Sequence, residues 1–548
     1  MKVNQLFDNI SDITMEAYLQ KHGIDNVDKY LTPNKDCIED VEHYDNMEEA
    51  WDVIYFYLRR NLDLYVIQDS DVDGLCSASI IYQYLKMLKP DVHINVLFQK
   101  DKRHGVHKDN VNEITSDSLL IVPDASIENI EIAKMLEENN IQCVVLDHHP
   151  QSVKNGNITT VNCQLSENVK NKSLSGAGVT HKFCQYIDGQ IGKKFSNQFV
   201  DLVALSIISD SMSLLSYENR AYLKVGLNNI NNPFYKYLCK NLIKSETITP
   251  KDLSFNVINI INAVQRSTNQ QLKQDLFDCF VGNKKENEYE DVLKACKKEK
   301  RTQDDAVKEI VETADVMESK SLVIAQTDGE NGYSGLISNK LMSKYRKPVF
   351  VVHMDENGQM KGSCRSPVPI RTALNASDKF VYVAGHENAF GVCYYPSKED
   401  DIVKFCDNIN LEDCANYDVI VSVNVNEAQK IPFEIFNWHE KYGQIYGTEL
   451  PEPLIHIKNI RTNGKYIYEM GNGSTIKLLL GDLTAIKFFC SKDYRQSIHV
   501  GENVPLNIEL IGTLQINHYN GIDTKQIVIE YIDVQLAEQK EMTIDDLW

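Results

Sequence analysis

The chain has 548 residues, too many for one hydrophobic core, and its size points to about three or four domains. Its 43% hydrophobic and 25% charged residues suit a globular protein, and no run of about 18 apolar residues offers a membrane span. A formal charge of −21 excludes a wholly basic nucleic-acid coat but leaves room for a local basic path beside an acidic, metal-holding cleft.

Residues 1–50 read as a helical lead-in. The opening "MKVNQLFDNI" has no apolar stretch behind a basic start, so a secretory leader is not expected. From 51 to 230 short apolar runs alternate with helical stretches: "DLYVIQ" (63–68), "HINVLF" (93–98), "SLLIVP" (118–123) and "CVVL" (143–146), with helices at 74–89 and 129–140 among them. That alternation predicts a doubly wound, parallel α/β sheet. Residues 231–320 turn helical and charged and are expected to form a long connector, with Tyr289, Val292, Leu293 and Cys296 at the spacing of an amphipathic helix. Strand-like runs return at 321–325 and 348–353 and suggest a second, smaller α/β domain over 321–440. From 450 to 535 apolar residues alternate (Ile455/Ile457, Leu506/Ile508/Leu510, Ile527/Ile529/Tyr531) around an Asn520-Gly521 turn, which predicts an all-β, OB-like barrel before a tail over 536–548. The 13 cysteines are scattered and form no C-x-x-C pair, which favours a reducing cytoplasm over a disulfide framework or a zinc knuckle.

One stretch carries an ambiguity. "QDSDVDGLCSASI" (68–80) places Asp69, Asp71 and Asp73 before Gly74, as an EF-hand loop does. Position 12 of such a loop must be Glu and here is Ile80, and the preceding run is a strand rather than a helix. Calcium is therefore the poorer reading. The better one comes from the other strands: "LLIVP" runs into Asp124, and "CVVL" into Asp147, His148 and His149, while "NQFVDLVALSIISD" ends at Asp210. Ligands of open α/β sheets bind beyond the carboxyl ends of the strands, so these groups should meet. Converging carboxylates with histidine suit two divalent cations, Mn²⁺ or Mg²⁺, better than a structural zinc. Two such ions bridged by one carboxylate would activate a water and clamp a phosphoryl oxygen. The plainer reading takes each acid as a helix cap or turn residue.

In these motifs the chain resembles the DHH phosphoesterase superfamily: "DSDVDG", "VPDAS", "LDHHP" and "SIISDSMSL" occur in that family's order. "VAGHENAFG" (383–391) and "KGSCRS" (361–366) are similar to the associated DHHA1 domain. The order of domains, together with "SLSGAGVTHKF" (173–183), "LLSYENR" (214–220) and "INAVQR" (261–266), is similar to the RecJ single-stranded-DNA exonucleases over about residues 50–535.

The resemblance implies that Asp71 and Asp124 hold one metal and that Asp73, Asp124, His148 and Asp210 hold the other, with Asp124 as the bridge. It further implies that His149 meets the scissile phosphate, that Asp147 orients its neighbours, and that Asp69 is a water-mediated ligand or an orienting group. Ser363, Arg365, Gly385 and His386 are the implied phosphate-backbone contacts of the second domain, and Arg103, His104 and Arg266 are further candidates of that kind. In the barrel, Phe488, Phe489, Tyr519, Lys487 and Lys525 offer stacking and charge. The implied activity is 5′-to-3′ degradation of single-stranded DNA to 5′ mononucleotides in repair, recombination or replication, in a cleft between the two α/β domains. The implied partners are single-stranded DNA, a single-stranded-DNA-binding protein or other replication and repair proteins, and no membrane; a cytoplasmic monomer is expected. Two alternatives are a phosphodiesterase of short oligoribonucleotides, pAp or cyclic dinucleotides, and a non-catalytic replication scaffold. The tail "EMTIDDLW" (541–548) reads as a frayed terminus before it reads as a partner-binding peptide.

Overall fold

The computed structural model describes residues 2–537 except 101, 128, 151–152, 154, 329–331, 410–415, 472–473, 489, 491–500 and 520, and describes only the backbone of Lys2, His386 and Asn416. Phe489, Asn520 and the tail 541–548 thus lie outside the described residues. The chain divides into two compact bodies, one of Ile24–Asp305 with Gln444–Pro451, the other of Met1–Gly23, Ala306–Gly443 and Glu452 onward.

The first body is built on a five-stranded sheet in which every pairing is parallel. Its order is Ile94–Phe98, Leu64–Gln68, Leu119–Pro123, Gln142–Asp147, Ile158–Asn162. The first four strands are the predicted ones. The fifth, "ITTVN", escaped the sequence reading because it is short, half polar and at the sheet edge, where only one neighbour selects for apolar side chains. The apolar runs are continuous because the sheet is covered on both sides. Leu64, Val66, Leu119, Ile121, Val144 and Leu146 face one core, and Tyr65, Ile67, Leu120, Val122, Cys143 and Val145 the other. Helix Val72–Leu88 follows the first strand, which leaves no calcium loop: Ile80 is buried in that helix. In sequence terms the strand order is 2-1-3-4-5, so the winding reverses between the strands that lead into Asp69 and Asp124. A crevice opens at such a point, beyond the carboxyl ends of the strands.

Two expectations about the chain's course are corrected. Residues 231–305 are not a free connector: Phe234, Leu238, Val257, Ile261, Phe277, Phe280, Tyr289, Val292, Leu293 and Cys296 join the core of the first body. The division between the bodies falls inside the helix Tyr289–Thr313. The lead-in is not wholly helical either, since Lys2–Gln5 is a strand paired in parallel with Asn416–Val419. Four residues carry no periodicity to read, and their partner lies some four hundred positions away.

The second body holds the smaller α/β domain, a six-stranded mixed sheet ordered Tyr382–His386, Ala389–Tyr394, Met360–Arg365, Val349–Met354, Val323–Gln326, Asp315–Glu318. Only the pair Val323–Gln326 and Val349–Met354 is parallel. It also holds a seven-stranded sheet that runs from Val421–Asn424 through Leu454–Asn463 and Pro505–Tyr519 to Ile522–Leu536, then to Leu483–Lys487, Thr475–Leu480 and Ile467–Met470. Ile455, Ile457, Leu506, Ile508, Leu510, Ile527 and Ile529 are buried, as their alternation predicts. The two longest strands turn between Tyr519 and Ile522, where Gly521 takes φ +73°. This β domain begins before 450, because Val421–Asn424 pairs with its first long strand.

Candidate metal centre

Asp69, Asp71 and Asp73 follow the first strand, Asp124 the third, and Asp147, His148 and His149 the fourth. Asp210 caps the C-terminus of helix Val200–Ser209. These side chains gather into three groups, the first two sharing His148: Asp124 with Asp147, His148 and His149; Asp73 with His148 and Asp210; and, beside them in sequence, Asp69 with Asp71 and His104. His148 Nε2 lies 3.3 Å from Asp124 Oδ1 and 3.4 Å from Asp210 Oδ2, so residues from three elements share one point.

The local backbone is shaped for this crowding. Asp71 is the N-cap of helix Val72–Leu88, its Oδ1 accepting the Gly74 N–H at 3.0 Å, so the cap and the site use the same carboxylate. A Cβ on Gly74 would come within 2.7 Å of Asp69 Cβ, and one on Gly176 within 2.2 Å of Asp124 Oδ1. Asp124 itself sits at φ +59°, a left-handed conformation that Asp tolerates better than most residues. Its N–H is anchored on Leu146 O at 2.9 Å. Asp73 is buried and held by several donors: the N–H groups of Gly176 and Ala177, at the start of helix Gly176–Ile191, each donate to it at 2.8 Å, and Ser206 Oγ at 2.6 Å. Two dyads flank the group. Asp147 Oδ1 accepts from His149 Nδ1 at 2.7 Å, and Asp69 holds His104 Nδ1 and the Gly105 N–H.

The electrostatics are those of a site short of positive charge. Burial, and then the charges of Asp73, Asp71 and Asp210, push the Asp124 carboxyl well above its usual range. Burial and the charges of Asp73 and Asp71 push Asp210 up to about 8. The hydrogen bond with Asp147 lifts His149 to about 9 against the cost of burial, whereas burial lowers His148. Carboxylates crowded in this way ionise together only when a cation neutralises them. The donor set of carboxylate oxygens and an imidazole fits Mn²⁺ or Mg²⁺. Asp147 Oδ2 is fully buried and has no hydrogen-bond partner among the described residues. Asp210 also stands at the negative end of its helix, where a cation is favoured.

The candidate phosphate contacts fall into two sets. In the first body Arg103 is gripped by both oxygens of Asp109, at 3.2 and 3.0 Å, and His104 by Asp69. Arg266 ends helix Asn259–Gln265 half-buried; burial lowers its pKa and the charge of Asp71 raises it. In the second body Ser363 and Arg365 share strand Met360–Arg365, separated by one strand from Gly385, at φ +131°, and His386. The side chain of His386 lies outside the described residues. Arg365 Nη1 donates to Cys364 O at 2.8 Å, and Gly335 leaves space beside its guanidinium that a Cβ would fill to 2.8 Å. In the β domain Phe488 and Tyr519 are exposed, but the two lysines serve the fold: Lys487 donates to Glu530 O at 2.9 Å and Lys525 to Ile431 O at 2.6 Å.

Three residues that hold the site were missed from sequence: Gly176, Ala177 and Ser206. "SLSGAG" did carry a signal, a Ser cap followed by glycines at a helix start, since Ser175 Oγ accepts from Gly178 N–H. Nothing in "LVALSIIS" marks Ser206 among its apolar neighbours.

Comparison with known proteins places this geometry. The DHH family, N-terminal domain model matches residues 63–207, and the RecJ OB domain model matches residues 415–531, which sets the start of the β domain well before 450. The YorK protein of the SPbeta prophage in Bacillus subtilis (strain 168) is 29% identical over 575 residues, covering 96% of this chain and 97% of YorK. The single-stranded-DNA-specific exonuclease RecJ of Thermus thermophilus is 26% identical over 360 residues, covering 63% of this chain and 51% of that protein. The crystal structure of RecJ in complex with Mn²⁺ from Thermus thermophilus superposes with a TM-score of 0.72 at 19% identity, over 98% of this chain and 80% of that one. The chain thus carries a DHH domain and a RecJ OB domain in this order, on a fold similar to that of RecJ.

Proposed function

We propose that this chain is a metal-dependent exonuclease that hydrolyses phosphodiester bonds of single-stranded DNA from the 5′ end and releases 5′ mononucleotides, in DNA repair, recombination or replication in the cytoplasm. The convergence of Asp124, His148 and Asp210 on one point carries this reading, because the three come from separate elements and His148 Nε2 lies within 3.4 Å of both carboxylates. The names of the RecJ relatives and the RecJ OB domain support single-stranded DNA as the substrate rather than a short oligonucleotide.

Asp71 and Asp124 would hold one cation and Asp73, Asp124, His148 and Asp210 a second, and Asp69 would orient His104 beside them. When bound, two divalent cations lower the pKa of a water and neutralise the charge that builds on the phosphoryl oxygens. The residues do the rest. Asp147 fixes the ring of His149 through Nδ1 and leaves Nε2 for a non-bridging phosphate oxygen. Asp73, whose carboxylate accepts two backbone N–H groups, and Asp124, whose own N–H is anchored on Leu146 O, keep the site in place without reorganising as charge develops. The water oxygen bonds to phosphorus as the P–O3′ bond breaks; the water gives up a proton and the 3′ oxygen takes one up. Arg365, Ser363, Gly385 and His386, with Arg266, Arg103 and His104, are the proposed contacts of the strand's phosphates, Arg being suited to a two-pronged grip.

The test is degradation of end-labelled single strands blocked at the 5′ or the 3′ end, with Mn²⁺ or Mg²⁺. A 5′ block should stop degradation and a 3′ block should not. Asp124→Ala should lower turnover by about a thousandfold or more, about 4 kcal/mol of barrier, with the fold retained. Full turnover in Asp124→Ala would overturn the mechanism, and indifference to the 5′ block would overturn the polarity.

A further inference from the structure

The donors on Asp73 are divided unevenly. Its Oδ1 receives Ser206 O–H at 2.6 Å, Ala177 N–H at 2.8 Å and Ser77 O–H at 3.2 Å. Its Oδ2 receives only Gly176 N–H, at 2.8 Å. A carboxylate has about two lone-pair sites on each oxygen. The two short bonds therefore fill Oδ1, and one site on Oδ2 stays free. Ser206 Oγ also lies 2.6 Å from Ser175 Oγ. Ser206 has one proton and a carboxylate can only accept, so the Asp73 contact rests on that proton, with Ser175 Oγ alongside. Ser175 Oγ itself accepts from Gly178 N–H at 3.3 Å.

We infer that Ser206 is a positioning residue that makes Asp73 a one-oxygen metal ligand, presenting Oδ2 alone to the ion shared with His148 and Asp210. Ser206 and Ser175 are both fully buried, so no solvent competes for these bonds. A serine inside a helix usually bonds back to its own backbone or turns to water; this one spans from Val200–Ser209 to the carboxylate of another helix instead. Without its hydroxyl, Oδ1 loses its shortest donor and keeps the Ala177 bond and the longer, weaker one from Ser77. The carboxylate can then turn on its Cβ–Cγ bond or chelate with both oxygens, and the orientation that suits the ion is no longer enforced. Nothing in the helix stripe needs a hydroxyl there, since Ala204, Leu205 and Ile207 beside it are apolar.

The inference rests on the metal reading of the site, so its test reads ion binding and not DNA hydrolysis. Mn²⁺ is titrated calorimetrically into the full-length, metal-stripped protein and into Ser206→Ala and Ser206→Cys. The parent should bind two ions. Ser206→Ala should bind one of them about 10–100-fold more weakly, as loss of an outer partner of a metal ligand does, and leave the other unchanged. Ser206→Cys, whose thiol is a weak donor, should fall between. Thermal melting in chelator separates a folding defect from lost ion affinity: a midpoint within a few degrees of the parent's belongs with the inference. If Ser206→Ala does not fold, the Cys variant decides alone, by binding one ion more weakly than the parent or binding both as tightly. Two ions bound with parental affinity in the folded variants overturn the role of Ser206 and leave the nuclease reading intact. A parent that binds no Mn²⁺ overturns both.

Discussion

Gly176 shows how much of the centre is decided by single atoms. Its N–H is a ligand for Asp73, and its missing side chain is what lets Asp124 lie against the helix start. Gly176→Ala places a Cβ 2.2 Å from Asp124 Oδ1, a separation no relaxation of the methyl can relieve, so the carboxylate or the helix must move. Overpacking of this kind costs about 1–3 kcal/mol. Because the displaced atom belongs to the bridging acid of the proposed site, function should suffer more than stability. We expect Mn²⁺ affinity and exonuclease rate each to fall by at least about tenfold, measured by calorimetry and by strand degradation; an alanine variant within twofold of the parent in both would remove Gly176 from the centre. The acids were legible in the sequence because each stands directly behind an apolar run, and a parallel sheet sends all such ends to one edge. Their partners were not. Ser206 and Gly176 lie more than a hundred positions from Asp73, in stretches whose spacing says helix and nothing more.

The helix Gly176–Ile191 links the metal centre to the core at the next scale. Its first turn feeds Asp73, while its second buries His181, whose ring meets Tyr222 Oη at 3.2 Å and Ser196 O at 3.0 Å. Burial, helped by the charge of the neighbouring Lys182, pushes His181 down to about 4. A histidine held neutral in this way contributes stability that is complete above its unfolded pKa of about 6.5 and is lost as the pH falls through about 4. Between those values the unfolded chain binds more protons than the folded one, so stability drops on acidification. At pH 5 the loss is about 2 kcal/mol. Urea midpoints of the parent and of His181→Asn between pH 7 and pH 5 check this: the parent should lose about that much more than the variant, and parallel curves would show that His181 titrates normally. Elements of this kind were well marked by periodicity. Those that were missed, Ile158–Asn162 and Lys2–Gln5, are short strands whose identity comes from a neighbour and not from their own residues.

At the scale of the whole molecule the chain does not run domain by domain. It leaves the second body after Gly23, returns to it at Ala306, and re-enters the first body for eight residues, Gln444–Pro451, before the β domain proceeds. No composition shift marks that return. Yet the segment is fastened where the first body needs it. Thr448 O accepts the Leu214 N–H at 3.1 Å, Gln444 Nε2 donates to Ile248 O at 3.1 Å, and Gln444 O accepts from Arg220 Nη1 at 3.0 Å. Arg220 is buried, with its Nε unpartnered among the described residues and the Tyr30 ring 5.5 Å away, so the Gln444 carbonyl satisfies a cation that water cannot reach. Removing that acceptor leaves a charged donor unsatisfied, which costs about 1.5–3 kcal/mol. Arg220 lies in the first turn of helix Tyr217–Asn228, which packs on the helix that ends at Asp210, so the loss should be felt as local opening next to the metal centre. Replacing Gln444–Pro451 in the full chain by an equally long Gly/Ser segment keeps the carbonyls but removes the Gln444 amide bond to Ile248 and the buried side chains of Ile445, Tyr446 and Leu450 that hold the Gln444 carbonyl against Arg220, and should therefore speed amide exchange at Leu214 and along Tyr217–Asn228 by about tenfold or more. The strands Leu119–Pro123 and Gln142–Asp147, which have no bond to the segment, should keep their protection. Unchanged exchange at Leu214 would mean that these eight residues only connect, and that the first body holds Arg220 and its helix by its own contacts.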